Sequence, residues 1–285
     1  MKLLGEKGIY RLLMALALSA IAMLFLIVLF ILKEGLPFIL EIGPKDFLLS
    51  SDWRPASGKY GIFPMIVGSL WVTLGAMIVG VPLGLSGAIF LSEFVPRWAM
   101  RIIKPTIELL AGIPSVVYGF IGVMMLAPLI REYLGGPGLS ILGASIILGI
   151  MILPTIMSIS IDSIKAVPNS YREGAFALGA THWQTIHMVV FPAARSGIIA
   201  GTILGLGRAI GETMAVIMVI GNAVKIPGSP LDSVRTLTAN IALEMGYATG
   251  MHRQALFATG VVLLVIIMIL NYLATAAIRN RGEKN

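Results

Sequence analysis

Six runs of about 20 apolar residues, each nearly free of charge, dominate this 285-residue chain and leave it few ways to fold. Hydrocarbon offers the backbone no water to bond, so a segment that crosses it must close its own hydrogen bonds as a helix. At 1.5 Å of rise per residue, about 20 residues cover a bilayer core of roughly 30 Å. The runs lie near Leu12 to Leu32, Pro64 to Leu91, Ile107 to Ile130, Leu139 to Ile161, Gly197 to Ile220 and Ala255 to Ile278. With 57% hydrophobic and 12% charged residues and a mean hydropathy of +0.93, the chain is too apolar for a water-soluble domain. The expected fold is an all-α membrane protein of six transmembrane helices, one permease-like domain over residues 1–285.

The basic residues set a direction. The first run is too long for a signal-peptide core and no small-residue cleavage site follows it, so it reads as a retained span with its basic end inside. Counting crossings from there, four segments face the cytoplasm, and each carries three basic residues: Lys2, Lys7, Arg11; Arg97, Arg101, Lys104; Lys165, Arg172, Arg195; and Arg279, Arg281, Lys284. The outside segments carry eight over a greater length, diluted by Glu34, Glu41, Asp46 and Asp52. Both termini are therefore expected in the cytoplasm. The net charge of +7 is accounted for by this topology pattern and implies no nucleic-acid partner. The chain has no cysteine, and His182, His187 and His252 lack metal-ligand spacing, so no metal is expected. No G-x-x-x-x-G-K-[ST] occurs; any ATP that drives this chain binds to another subunit.

Glycine and proline recur inside the spans, as at Gly80, Pro82, Gly84, Gly112, Pro114, Gly119 and Gly122, where they let helices approach closely or bend. Gly201 with Gly205, and Gly207 with Gly211, have the small-xxx-small spacing of helix contacts. The run Gly205 to Gly211 is no dinucleotide fingerprint, because its third glycine is one place late and no strand precedes it.

Arg208 is expected near the middle of the fifth span, with Glu212 one turn later on the same face. An isolated charge at a helix centre costs about 2.5 to 3.5 kcal/mol, so both should face protein or a wet cavity. Two readings stand: an ion pair that pins one helix to another, or an anion pathway in which the guanidinium offers a planar fork to an oxyanion and Glu212 orients or partly neutralises it. Ser115 and Tyr118 in the third span could donate to the same ion or simply pack. Glu93, Glu108 and Asp162 are expected to pair locally with Arg97, Arg101 and Lys104. The outside segment Asn222 to Arg253, with Thr236, Thr238 and Asn240, is either a receptor contact or a re-entrant piece.

Between the fourth and fifth spans lies a polar loop, 162–196, that includes PNSYREGAFALGATHWQTIHMVVFP from Pro168 to Pro192. Ser170 with Glu173 has capping-box spacing, Gly179 can take the left-handed conformation that ends a helix, and Thr181 with Gln184 repeats the capping spacing. Two short helices are expected to meet at a glycine elbow. From spacing alone this could be an amphipathic helix on lipid headgroups.

The order Glu173, Gly174, Ala175, Gly179, Ile186, Phe191-Pro192 resembles the cytoplasmic EAA loop of bacterial ABC importer permeases, with Gly174 where alanine is common and Phe191 where leucine is usual. That resemblance implies the type I permease fold and a coupling helix, built from Ser170, Glu173, Gly174, Ala175, Gly179, Ala180 and Thr181, that fits a groove on an ATPase. The run Gly207-Arg208-Ala209-Ile210-Gly211-Glu212-Thr213 resembles a motif of the permeases of the phosphate-specific transport system, as do Leu110 to Gly119 and Leu178 to Thr181. Thr213 to Val216 through Gly221-Asn222, and Tyr60 to Pro64, are similar to its PstC family and not to PstA. The resemblance implies phosphate as cargo, Arg208, Glu212, Thr213, Ser115 and Tyr118 along the pathway, a heterodimer with PstA in the bacterial inner membrane, two copies of the ATPase PstB that bind the ATP, and the binding protein PstS outside. It implies a transporter, not an enzyme. The competing expectations are a permease for molybdate, sulfate or phosphonate, an ion-coupled secondary transporter, and a sensor subunit without transport.

Overall fold

The computed structural model describes residues 6–282, so Lys2 and Lys284 of the two basic ends lie outside the described residues. In chain order the elements are α1 (Glu6–Ile42), α2 (Pro44–Leu49), a two-stranded hairpin of β1 (Trp53–Arg54) and β2 (Lys59–Tyr60), then α3 (Phe63–Glu93) and α4 (Arg97–Ala111). There follow α5 (Ser115–Ile121), α6 (Ala127–Tyr133), α7 (Ile141–Lys165), α8 (Asn169–Ala177), α9 (His182–Thr185), α10 (Phe191–Gly211), α11 (Met214–Val219), α12 (Leu237–Glu244) and α13 (Gly250–Gly282). Wide π turns over Gly122–Leu126 and Ile186–Val190 splice α5 to α6 and α9 to α10 without ending the helix.

Among the described residues, six helical segments are long and apolar enough to cross a membrane: Gly8–Ile42, Phe63–Glu93, Ser115–Tyr133, Ile141–Lys165, His182–Gly211 and Gly250–Leu273. The first, second, fourth and sixth overlay the expected runs; the fifth is His182–Gly211 and not Gly197 to Ile220, because its helix already begins in the polar loop and breaks after Gly211. The third begins at Ser115 instead of Ile107, because Ile107 to Ala111 belong to α4. That helix buries Met100 and Ile107, exposes Arg97, Trp98, Arg101 and Ile102, and ends at Gly112-Ile113-Pro114. Proline has no N–H and disfavours helical backbone in the residue before it, so the chain breaks there and restarts as α5.

The interior is organised around α7, whose Leu148, Met151, Ile152 and Ile156 are almost wholly buried. Glycine lets α3 and α10 reach it. A β-carbon on Gly80 would lie 2.8 Å from Ile152 Cγ1 and 2.9 Å from the Gly149 carbonyl oxygen, and one on Gly205 would lie 2.7 Å from Ile156 Cγ1. Gly201 and Gly205 are thus packing positions, as their spacing suggests. Gly207 and Gly211 are not: a β-carbon at either meets nothing within 4 Å. Helix α1 packs on α13, with Gly35 against the backbone at Phe257 and Ala258, and exposes leucine, isoleucine and phenylalanine along most of its length, as a helix bathed in lipid would.

Candidate functional site: two facing helix breaks and a glycine elbow

The first site forms where the third and fifth spans both break. Helix α10 ends at Gly211, and Glu212 takes φ −69 and ψ 133, an extended conformation, before α11 starts at Met214. Arg208 and Glu212 therefore do not share a helix face, and no acidic oxygen lies within 4 Å of Arg208 among the described residues. Of the two readings of this pair, the ion pair does not form among the described residues. Glu212 instead turns to the start of α11, where its Oε1 accepts from the Ala215 N–H at 3.1 Å and satisfies one of the helix's free donors. Thr213 donates its hydroxyl to the Gly211 carbonyl at 3.3 Å.

Arg208, in the last turn of α10, reaches the other break. Its guanidinium donates to Thr155 Oγ1 on α7 at 3.2 Å and to the Ala111 carbonyl at 3.3 Å. Ala111 is the last residue of α4, and the neighbouring Leu110 carbonyl accepts the Tyr118 hydroxyl at 3.0 Å. The Ala111 carbonyl, left free by the α4 break, is thus capped by Arg208, while the Leu110 carbonyl accepts the Tyr118 hydroxyl in addition to the Ile113 N–H at 3.3 Å; a cation beside a helix C-terminus is favoured by its partial negative charge. The breaks are pressed together: a β-carbon on Gly119 would lie 3.0 Å from the Ala215 Cα. Non-helical backbone at membrane depth is tolerated only where protein buries it or it lines a wet cavity. Ser115, partly exposed, opens α5 at this break.

Helix α12 completes the arrangement. Thr236 caps its N-terminus through the Ala239 N–H at 3.2 Å, Asn240 is fully buried, and Thr238 donates to the Glu212 carbonyl at 3.0 Å. The segment from Asn222 to Arg253 therefore folds back on the chain and braces the α10 to α11 break. Glu244 anchors it, accepting from Trp53 Nε1 at 2.9 Å and pairing with Arg235 at 2.6 Å and His252 at 2.8 Å. In the same segment, Lys225 and the N–H groups of Gly228 and Ser229 hold the Asp232 carboxyl below the usual carboxylate range.

The second site is the elbow. Gly179 has φ +83; its N–H bonds the Phe176 carbonyl at 2.9 Å and the Ala180 N–H bonds the Ala175 carbonyl at 3.0 Å, the pattern of a left-handed helix stop. Thr181 and Gln184 form the reciprocal capping box, at 2.8 and 3.3 Å. The Ser170–Glu173 box does not form, because α8 starts at Asn169 with Pro168 as its N-cap, two residues before a Ser170 cap would start it, so Ser170 already lies inside the helix. Nor is the second limb a separate short helix: from His182 it continues through the π turn into α10. The elbow's second limb and Arg208 therefore belong to one continuous helical segment, His182–Gly211. Gly174 and Ala175 sit mid-helix in α8, Ala175 buried.

The elbow is fastened by a residue the local spacing did not single out. Arg172 bonds Glu93 Oε1 at the end of α3 at 2.8 Å, and the carbonyls of Val167 and Ile164 at 2.8 and 3.1 Å. His182, on the other limb, lies 3.9 Å from Glu93 Oε2. Glu93 thus pairs with the elbow and not with Arg97, Arg101 or Lys104, whereas Asp162 and Glu108 do pair with Lys104. Around the turn, Leu178 is 90% exposed, with Phe176, Trp183 and Met188 also open. An apolar patch of this kind on a polar loop marks a contact with protein or with the membrane surface.

Residues 80–281 match the family described as binding-protein-dependent transport system inner membrane component. The chain belongs to that family. It is 45% identical over 272 residues to the probable ABC transporter permease protein YqgH of Bacillus subtilis (strain 168), covering 92% of this chain and 88% of that protein. It is 38% identical over 285 residues to the phosphate transport system permease protein PstC of Xylella fastidiosa (strain 9a5c), covering 93% and 85%. The fold is that of a solved bacterial alginate ABC transporter, with a TM-score of 0.64 at 17% identity over 94% of both chains. The MetNI methionine ABC transporter in an inward-facing conformation gives 0.57 at 18% identity over 77% of this chain and 94% of that one. As a binding-protein-dependent inner membrane component, the chain is a multi-pass transporter subunit and not an enzyme, and ATP hydrolysis belongs to a separate subunit.

Proposed function

We propose that this chain is a permease subunit of an ATP-driven importer of inorganic phosphate, and that the two facing helix breaks form its half of the translocation pathway. One observation carries the reading. Arg208 lies between the breaks with two of its five N–H groups engaged and no acid within ion-pair distance among the described residues. A guanidinium neutralised by Glu212 would be a poor oxyanion site; one held by a hydroxyl and a carbonyl keeps its charge and most of its fork. Thr155 and Ala111 hold the group in place without cancelling it. Ser115 adds a hydroxyl at the third-span break, Thr213 stands at the fifth-span break, and Tyr118 keeps that wall in shape. Weak binding suits the task, since a tight site would trap the ion.

Phosphate as the cargo is supported by relatives named as phosphate transport permeases at 36–38% identity. The partners follow: a second permease of the PstA type facing Gly207 and Gly211, two PstB ATPases on the elbow, and a PstS binding protein outside. ATP is bound by the ATPases, and no cofactor or metal is needed in this chain. The chain sits in the bacterial inner membrane with both termini and the elbow in the cytoplasm, where Phe176, Leu178 and Trp183 enter the ATPase groove alongside Ser170, Glu173, Gly174, Ala180 and Thr181. Replacement of Arg208 by Gln tests the pathway: uptake falls by at least about 100-fold, the loss of roughly 3 kcal/mol of charge-assisted hydrogen bonding, while the four-subunit-type complex still assembles. Normal uptake in that variant overturns the pathway.

A further inference from the structure

At the elbow's side of the membrane, α4 and the end of α7 enclose a groove of about 370 Å³. Arg97, Arg101 and Lys104 line it from α4 at the i, i+4, i+7 spacing of one helix face, and Lys165 enters from the last turn of α7. The acids nearby are spoken for: Glu108 and Asp162 both pair with Lys104. Among the described residues, Arg97, Arg101 and Lys165 have no acidic partner, so the groove carries an uncompensated positive charge. Positive-inside topology needs only scattered cations; it does not require them to converge on a cavity from two helices.

A second observation says what fills it. The α4 face beside the basic stripe is apolar and open, with Trp98 70%, Ile102 66% and Leu109 75% exposed, while the face on its other side buries Met100 and Ile107. The basic stripe therefore lies between the protein interior and a surface fit for acyl chains, with an indole where interfacial aromatics sit. We propose that this groove binds the phosphate group of an anionic lipid headgroup. Arg97 and Arg101 present forks to the phosphoryl oxygens, Lys165 closes the site from α7, and the acyl chains run along Ile102 and Leu109. The lipid thus ties α4, whose far end holds Ala111 against Arg208, to the α7 end that leads into the elbow.

The test is native mass spectrometry of the detergent-extracted transporter containing this chain, titrated with phosphatidylglycerol or phosphatidylcholine. The wild type retains phosphatidylglycerol preferentially. In R97Q/R101Q/K165Q the affinity of the tightest phosphatidylglycerol site drops about 100-fold, at the per-cation strength of such contacts, while phosphatidylcholine binding stays unchanged and R97K/R101K, which keeps the charge and loses the forks, weakens the site by less. Should the triple variant not assemble, added salt must strip phosphatidylglycerol from the wild type and leave phosphatidylcholine. Equal retention of the two lipids, an unchanged tight site in the triple variant, or a flat salt response overturns the proposal. So does displacement of the lipid by inorganic phosphate, which would make the groove a station for the free ion.

Discussion

Replacing Glu93 by Gln removes one charge at the junction of α3 with both limbs of the elbow and keeps the side-chain volume. Its side chain is 7% exposed and that of Arg172 is 19% exposed, at 2.8 Å. Stranding one partner of a fully buried pair costs about 3–5 kcal/mol. Arg172 is not stranded, because it keeps the Val167 and Ile164 carbonyls. The loss is then one hydrogen bond between charged groups, about 2 kcal/mol, or roughly 30-fold in the opening equilibrium of the elbow. Arg172→Gln is worse, about 3–4 kcal/mol, because it leaves Glu93 nearly buried without its main partner. Hydrogen exchange of residues 169–185 in the assembled transporter reads both, and the double variant should recover at least about 1 kcal/mol relative to additivity. Additive effects, or the reverse order of severity, would refute the claim that this pair fastens the elbow.

Three further outcomes follow. Gly179→Val meets no atom within 4 Å but forces a β-branched residue to φ +83, so about 1–2 kcal/mol of backbone strain remodels the turn and lowers phosphate transported per ATP without lowering expression. Gly80→Ala drives a β-carbon to 2.9 Å from the Gly149 carbonyl oxygen, so α3 shifts off α7 and thermal stability of the extracted protein falls by about 1–3 kcal/mol. Because the Asp232 carboxyl is held below its usual range by Lys225, Gly228 and Ser229, its contribution is fully present above about pH 4 and is lost as pH falls through the lowered folded value. Asp232→Asn should therefore loosen the Gly228 and Ser229 amides at pH 7, with the difference from wild type vanishing in strong acid.

The membrane architecture was legible because it depends on runs of like residues, and an apolar run of span length has one outcome in lipid. The elbow was legible at Gly179, Thr181 and Gln184, where three neighbouring residues specify a turn through their own hydrogen bonds. Local spacing carries no information where distant contacts decide. The spacing of Arg208 and Glu212 describes a continuous helix, yet Thr238 pulls on the Glu212 carbonyl and the Ala215 N–H takes its carboxylate, so the helix stops. Arg172 and Glu93 lie 79 positions apart, and Arg208 and Ala111 lie 97 apart; no local pattern links either pair. The third span starts later than its apolar run, because Ile107 to Ala111, apolar but for Glu108, belong to α4 and only Gly112-Ile113-Pro114 marks where that helix stops.

The most direct test of the account is radiolabelled phosphate uptake into proteoliposomes holding this chain with a second permease, the ATPase and the binding protein, with sulfate and molybdate as competitors. The account predicts ATP-dependent phosphate entry that neither competitor slows and that Arg208→Gln abolishes. Entry of sulfate or molybdate in place of phosphate, or phosphate entry without ATP, would contradict it.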